Sequence, residues 1–156
     1  MTIRRAERRD AKELGRLGAA LMRTHYAFDM RRFLEPGEGA EEGYAQFLVS
    51  QLRDAQSAVF VAEHGHVIVG YVFAAIEPLS WKDLRDECGF IHDLLVTDEA
   101  RRGGVGDALL NAAVDWLREQ EMPRVMLGTA AQNDIARGLF ERRGFRPTMI
   151  EMTLEL

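Results

Sequence analysis

One stretch constrains this chain more than any other: Phe90 to Gln120, FIHDLLVTDEARRGGVGDALLNAAVDWLREQ. It opens as an apolar run of strand length, crosses a short turn and changes to a helical pattern. From Val105 the apolar side chains fall at Val105, Ala108, Leu109, Ala112, Ala113, Trp116 and Leu117, the spacing of one buried helical stripe. A strand, a glycine-rich turn and a helix follow. A helix start leaves backbone N–H groups unpaired and turns the positive end of the macrodipole outward. Gly103, Gly104 and Gly106 clear away side chains that would block a close ligand, and Arg101 and Arg102 add fixed positive charge. The turn reads as an anion cradle, best suited to phosphates.

The kind of phosphate ligand is narrowed by what the turn lacks. A P-loop ends in Gly-Lys-Ser/Thr, and Gly106-Asp107-Ala108 does not; the dinucleotide pattern G-x-G-x-x-G is missing as well. What remains is Arg-x-x-Gly-x-Gly, from Arg101 through Gly104 and Gly106. Downstream, Asn133-Asp134-Ile135-Ala136-Arg137-Gly138-Leu139-Phe140-Glu141-Arg142-Arg143-Gly144-Phe145 supplies a second motif. The two together resemble the GNAT family of N-acetyltransferases, specifically from about Ile91 to Phe145. The resemblance implies acetyl-CoA as acyl donor. Its pyrophosphate would lie on Arg101, Arg102, Gly103, Gly104, Val105 and Gly106, and its pantetheine arm on backbone groups of Leu94, Leu95 and Val96. Asn133 would touch the same arm and also suits a helix N-cap. Phe140 stands where the family usually has tyrosine to protonate the departing thiolate, so that role does not transfer. Either the thiolate, with a pKa near ~8.5, leaves unaided, or Tyr26, Tyr44 or Tyr71 reaches the sulfur; Phe140 itself is expected to pack beside the cofactor.

The 156 residues fit one domain, 1–156, long enough for a substantial core. A net charge of −5 argues against a nucleic-acid surface and mildly favours cationic small molecules or basic peptides. Cys88 is the only cysteine, which excludes an internal disulfide and makes a reducing cytoplasm the expected setting. No apolar run approaches membrane-spanning length and MTIRRAERRD has no apolar h-region, so neither membrane insertion nor secretion is expected. His64-Gly65-His66 sits at a hairpin turn, too isolated from other ligands for a metal site, and none is expected elsewhere.

In chain order, a first strand is expected over Thr2 to Ala6, then a helix capped by Asp10 with Glu13 three residues on, ending near His25. Tyr26 to Gly43 reads as a loop, and a second helix runs from about Glu41 to Arg53. Ala58 to Glu63 and Val67 to Ile76 form a hairpin. Past the organising stretch, Val125 to Thr129 is a fifth strand and Asn133 starts a helix that stops at Gly144. Phe145 to Leu156 is expected to supply one or two final strands. Strands interleaved with helices in this order give a mixed α/β sheet with helices on both faces. The resemblance implies the GNAT-like acyl-CoA N-acyltransferase version, mostly antiparallel, with the fourth and fifth strands splayed. It also leaves room for a homodimer, for which Ile150, Met152 and Leu154 are interface candidates.

Acetyl transfer to an amine needs a neutral nucleophile, and a lysine-like amine with pKa near ~10.4 must first lose a proton. His92-Asp93 interrupts an otherwise apolar strand, where unpaired polar groups are costly. Both are candidates for the base or for orienting the acceptor, with a structural role of equal standing. Adjacent strand residues face opposite ways unless a bulge intervenes, so one of the two is expected in the cleft. Glu77, at the end of the third strand, competes for the same task. The acceptor, a small-molecule or peptide amine, would meet Tyr26, Asp29 and Trp81, since carboxylates beside aromatics suit an ammonium. Arg31 and Arg32 would equally welcome a carboxylate. Cys88 has no histidine at a defined spacing, which argues against a covalent relay. Two rival functions remain at this point, a non-catalytic acyl-CoA-binding or regulatory module and a transferase of another acyl group.

Overall fold

The computed structural model describes all 156 residues. Five strands lie in the order β1-β2-β3-β4-β5: Thr2–Arg5, Ser57–His64, Val67–Glu77, Cys88–Val96 and Val125–Leu127. The first three junctions are antiparallel and β4 runs parallel to β5. Four helices complete the chain: α1 (Ala11–Phe28), α2 (Ala40–Gln51), α3 (Val105–Glu119) and α4 (Asp134–Arg142). The central strands are apolar on both sides, so each face needs a cover. Leu14, Leu17 and Leu48 from α1 and α2 pack on Val59, Val61, Tyr71, Phe73 and Leu95. On the other face Leu109, Leu110, Ala113, Trp116 and Leu117 from α3, with Phe140 from α4, pack on Ala58, Ala62, Val72, Ala74 and Ile91. No helix is long and apolar enough to cross a membrane.

Two small residues bring α1 and α2 together. A Cβ on Gly15 would lie 2.2 Å from the Glu41 carbonyl oxygen, and one on Gly18 would lie 1.9 Å from the Tyr44 ring. The helices therefore cross at backbone contact, and the Tyr44 ring rests on the bare face of Gly18. That contact aims the tyrosine at β4.

The ladder between β3 and β4 is broken at one place. Phe73 faces Asp93 while Ala74 faces Ile91, which leaves His92 as the extra residue of a β-bulge. The break resets the alternation: Ile91, Leu94 and Val96 pack toward α3, whereas Leu95 lies on the α1–α2 face and His92 and Asp93 both line clefts there. The expectation that one of the pair would face the cleft is thereby overturned, because the bulge restores both to one side.

Other differences are local. The capping box sits one turn earlier than Asp10 and Glu13: the Asp10 carboxylate accepts from the Glu7 N–H at 2.7 Å, and Arg4 holds it at 2.8 Å. Asp10 is buried, and the hydrogen bond from Arg4 holds its carboxyl pKa below the usual carboxylate range. Helix α1 runs on to Phe28, and β5 stops at Leu127. Beyond Gly144, φ +90°, no strand forms, in contrast to the final strands the sequence implied. The helix end explains part of this. Gly144 N–H bonds to Glu141 and Phe145 N–H to Phe140, both at 3.0 Å, and the rings of Phe140 and Phe145 meet edge-on. This Schellman closure fixes the chain direction as it leaves α4.

Candidate active site

The donor side is built from backbone. Gly104 caps α3 at φ +74°, a left-handed conformation that glycine adopts without strain, and a Cβ there would meet nothing within 4 Å. Arg102 is left-handed as well, at φ +67°. The N–H groups of Gly103, Gly104, Val105, Gly106 and Asp107 find no acceptor among the chain's backbone carbonyls, and the first intrahelical bond comes from Ala108 to Gly104 at 3.0 Å. Five donors around open space at the positive end of a four-turn helix fit a pyrophosphate. Gly106 has a second reason to be small. Its Cβ would press within 3.3 Å of Leu139 and 3.8 Å of Val96, so it seats α3 against α4 and β4. Arg101 shares its charge with Asp98 at 2.8 Å and remains largely exposed.

The path from cradle to cleft runs along β4. Pairing with β5 covers Gly89, Phe90 and Ile91 and then stops, although β4 continues to Val96. Leu94, Leu95 and Val96 therefore present an unpaired strand edge in the splay, as an arm seeking backbone partners would require. Asn133 caps α4, its Oδ1 accepting from the Ala136 N–H at 3.1 Å. Phe140 is buried in the α3 cluster, and its ring lies across from Phe145.

The acceptor side is built from side chains around the bulge. A cleft of about 490 Å³ is lined by Phe47, Gln51 and Asp54, by Phe73 and Glu77, and by His92 and Asp93. A smaller one of about 230 Å³, between α1 and the loop after it, shares His92 and Asp93 and adds His25, Phe33 and Leu34. The imidazole of His92 stacks with Phe73 and with Phe90, with ring centroids at 5.1 and 4.7 Å, and its Nε2 lies 2.7 Å from Glu77 Oε1. An ionised Glu77 accepts from Nε2–H, which leaves Nδ1 as the acceptor nitrogen. Asp93 is held from the other side. The Tyr44 hydroxyl donates to its Oδ2 at 2.5 Å and the Tyr71 hydroxyl at 3.0 Å. Burial raises the Asp93 carboxyl above its ordinary range, and the two hydroxyl donors work against that rise. Both tyrosines titrate well above their usual value, first through burial and then through the adjacent carboxylate. They are poor acids with their protons committed to Asp93, so neither suits the sulfur-protonating role left open by Phe140.

The structure brings His92, Asp93 and Glu77 together. Tyr26, Asp29 and Trp81 fall outside both clefts. Asp29 accepts from the N–H groups of Arg31 and Arg32 at 3.0 and 3.2 Å and so closes its own turn. Trp81 stands almost fully exposed on the β3–β4 connection. Cys88 is buried, and burial pushes its thiol up, the opposite of an activated nucleophile. Sequence reasoning missed Phe47, Asp54 and the pairing of Tyr44 with Tyr71. A signal for the last was present: a buried tyrosine in the apolar run of β3 needs a polar partner.

Residues 19–145 match the model of the Acetyltransferase (GNAT) family. An uncharacterised N-acetyltransferase of Bacillus subtilis, YhfO, is 28% identical over 106 residues, spanning 67% of this chain and 68% of that protein. An N-alpha-acetyltransferase of Sulfurisphaera tokodaii is 29% identical over 110 residues, 67% of this chain and 65% of its own length. In fold, a mutant of the BH1408 protein from Bacillus halodurans superposes with a TM-score of 0.85 at 22% identity, covering 100% of this chain and 99% of that one. The free N–H cradle, the splayed β4–β5 edge and this family match agree, and the chain belongs to the GNAT family as an acetyl-CoA-dependent N-acetyltransferase.

Proposed function

We propose that this enzyme acetylates a primary amine on a small cationic molecule or peptide by direct attack, with His92 as base, Glu77 as the group that orients it, and Asp93 as the anchor for the acceptor's positive charge. The observation that carries the proposal is the bulge at His92, which sets imidazole and carboxylate on one face of the strand where the splay begins. The amine nitrogen forms a bond to the thioester carbonyl carbon, and the carbon–sulfur bond breaks. One amine proton passes to His92 Nδ1, giving an imidazolium beside Glu77. The sulfur leaves as thiolate and takes its proton from solvent, a tolerable departure for a thiol of pKa near ~8.5. The residue that a bulge keeps out of the ladder also frees a backbone N–H for the developing oxyanion, a kind of donor commonly worth about 3 kcal/mol of barrier.

Charge supports the acceptor class. Asp54, Glu77 and Asp93 line the larger cleft together with Phe47 and Phe73, and no lysine or arginine does. An ammonium gains from both carboxylate and ring face, so amines carrying a second positive charge are the expected substrates and free amino acids poor ones. The single, buried Cys88 suits a reducing compartment. The test is a panel of diamines, neutral-tailed monoamines and amino acids with acetyl-CoA, run on wild type and on His92→Gln and Glu77→Gln. A loss of about 100-fold or more in kcat for His92→Gln, with the acid limb of its pH–rate profile gone, supports the assignment. Near-wild-type kcat in that variant, or faster turnover of amino acids than of diamines, overturns it.

A further inference from the structure

The larger cleft holds three carboxylates, and two of them already serve the chain. Glu77 orients His92, and Asp93 accepts from Tyr44 and Tyr71. Asp54 has capacity to spare. Its Oδ1 takes the Gln56 N–H at 2.8 Å, while its Oδ2 has only the Ser57 hydroxyl at 3.5 Å. A serine hydroxyl carries one proton, and the closer claimant for it is Gln51 Oε1 at 3.1 Å. Oδ2 is thus left as an acceptor without a donor of its own, on a residue that lines the cleft.

The surroundings favour a cation there. Helix α2 ends at Gln51, so the negative end of its macrodipole adjoins Asp54, and no basic residue stands in its last turn. Gln51 lines the cleft beside Asp54, and Phe47 and Phe73 wall it, their rings meeting edge-on at 5.7 Å. Arg53, the neighbour in sequence, is exposed and does not line the cleft. The sheet register sets the length. Ser57 pairs with Ala75 and Asp93 with Phe73, on opposite sides of β3 and one pleat out of step. Strand spacing and rise then put the Cα atoms of Ser57 and Asp93 about 12 Å apart. Ammonium groups bonded to side chains at the two ends lie about 8–10 Å apart, which an extended chain spans with about six or seven methylenes at roughly 1.2 Å per bond.

Resting on the acetyl-transfer reading of His92, we propose that Asp54, with Gln51, forms a distal ammonium subsite, and that the acceptor is a linear diamine or polyamine whose amines are separated by that length. Asp93 receives the near end of the chain beside His92, and Asp54 holds the far ammonium. His92 and Asp93 are adjacent, so neither reaches both ends. Acetylation turns the near amine into an amide, which carries no charge. Reversed in the cleft, that product offers Asp54 nothing to hold, and the enzyme stops after one acetyl group.

Wild type and Asp54→Asn are assayed with acetyl-CoA on linear terminal diamines of about two to ten methylenes, each beside the monoamine of equal length. Asparagine keeps the Oδ1 that accepts from Gln56, so the turn and the fold persist, and the length series on wild type needs no variant at all. In wild type, kcat/KM is expected to peak at about six or seven methylenes, with the monoacetyl product accumulating. In Asp54→Asn the ratio of diamine to monoamine kcat/KM at that length falls by about tenfold or more, the loss lying in KM, and the peak flattens. A wild-type optimum at about two or three methylenes, an equal ratio in the two proteins, or diacetylated product from the start each overturns the subsite. The His92→Gln variant reads the other proposal separately. If the length series is flat while His92→Gln still loses its activity, the subsite falls and the base assignment stands; if His92→Gln keeps its activity, the base assignment falls and the diamine-to-monoamine ratio still reads Asp54.

Discussion

Replacing Gly18 by alanine tests how the acceptor site is held. A Cβ at this position would lie 1.9 Å from Tyr44 Cδ1 and 2.4 Å from Cγ. Ordinary contact begins at 3.4 Å. Because the clash includes Cγ, one bond from the tyrosine's own Cβ, a rotation of the ring cannot relieve it, and α2 or the whole side chain must retreat by more than an ångström. A retreat of that size takes the hydroxyl out of its 2.5 Å bond to Asp93. Overpacking costs about 1–3 kcal/mol, and a hydrogen bond to a charged group lost at a buried site about 1.5–3 kcal/mol. The gain from alanine over glycine in a helix offsets about 1 kcal/mol of this. The net expectation is a loss of about 2–4 kcal/mol in urea unfolding, with acetylation reduced because Asp93 keeps only the Tyr71 donor. Gly43 provides the control. It lies in α2 with nothing within 4 Å of its notional Cβ, so Gly43→Ala should stabilise by about 1 kcal/mol. Equal stability of the two alanine variants, with activity unchanged in both, would refute the reasoning.

Asp93→Asn separates stability from activity. The native state binds the Asp93 proton more tightly than the unfolded chain does, so stability falls as pH rises from the ordinary carboxyl range through the native value and stays reduced above it. Asparagine removes that loss, about 1.4 kcal/mol for each tenfold by which folding weakens the acid, and should be more stable than wild type near neutral pH while acetylating poorly. Urea titrations at about pH 4 and about pH 8 check the sign: a gap between the two proteins that shrinks toward alkaline pH contradicts it. At the cradle, Gly104→Ala meets no neighbour and should lose only about 1–2 kcal/mol to left-handed strain, whereas Gly104→Glu should abolish the roughly 2.7 kcal/mol of stabilisation expected from acetyl-CoA at about 100 times its dissociation constant. A full thermal shift in the glutamate variant removes the phosphate from this turn. Phe140→Ala should cost about 3–5 kcal/mol, since it opens the α3 cluster and the end of α4 together. A loss below about 1 kcal/mol would show that the ring serves the donor rather than the core.

The donor side was readable in the sequence because it is local. Six consecutive residues, Arg101 to Gly106, set the helix start, the left-handed turn and the bare N–H groups, and the interactions that decide them lie within one turn of chain. The hairpin at Gly65 and the helix stop at Gly144 were legible for the same reason, since a positive φ is a property of one residue. What failed was non-local. The capping box moved to Glu7 and Asp10 because Arg4, in a strand, claims the Asp10 carboxylate. The alternation of 150–156 suggested a final strand that the fold does not form, because alternation along the chain supplies no ladder partner.

The acceptor side shows the same limit more sharply. Its groups come from Tyr44 and Phe47 on α2, Tyr71, Phe73 and Glu77 on β3, and His92 and Asp93 on β4, and no spacing along the chain links them. Tyr26, Asp29 and Trp81 looked better as acceptor contacts only because they stand among charges and aromatics, Tyr26 in the last turn of α1 and the other two in irregular segments where side chains meet solvent or close their own turns. The decisive feature is a one-residue irregularity. A regular β4 would turn either His92 or Asp93 into the α3 core, burying a polar group against Ile91 and Leu94, which neither could tolerate without a partner. The bulge places both on the cleft side, where Glu77 on one hand and two tyrosines on the other satisfy them. Two polar residues in succession in an apolar strand were thus the sequence's trace of the bulge. They cost least where the strand breaks step, and that break is also where β4 parts from β5 and a thioester can enter.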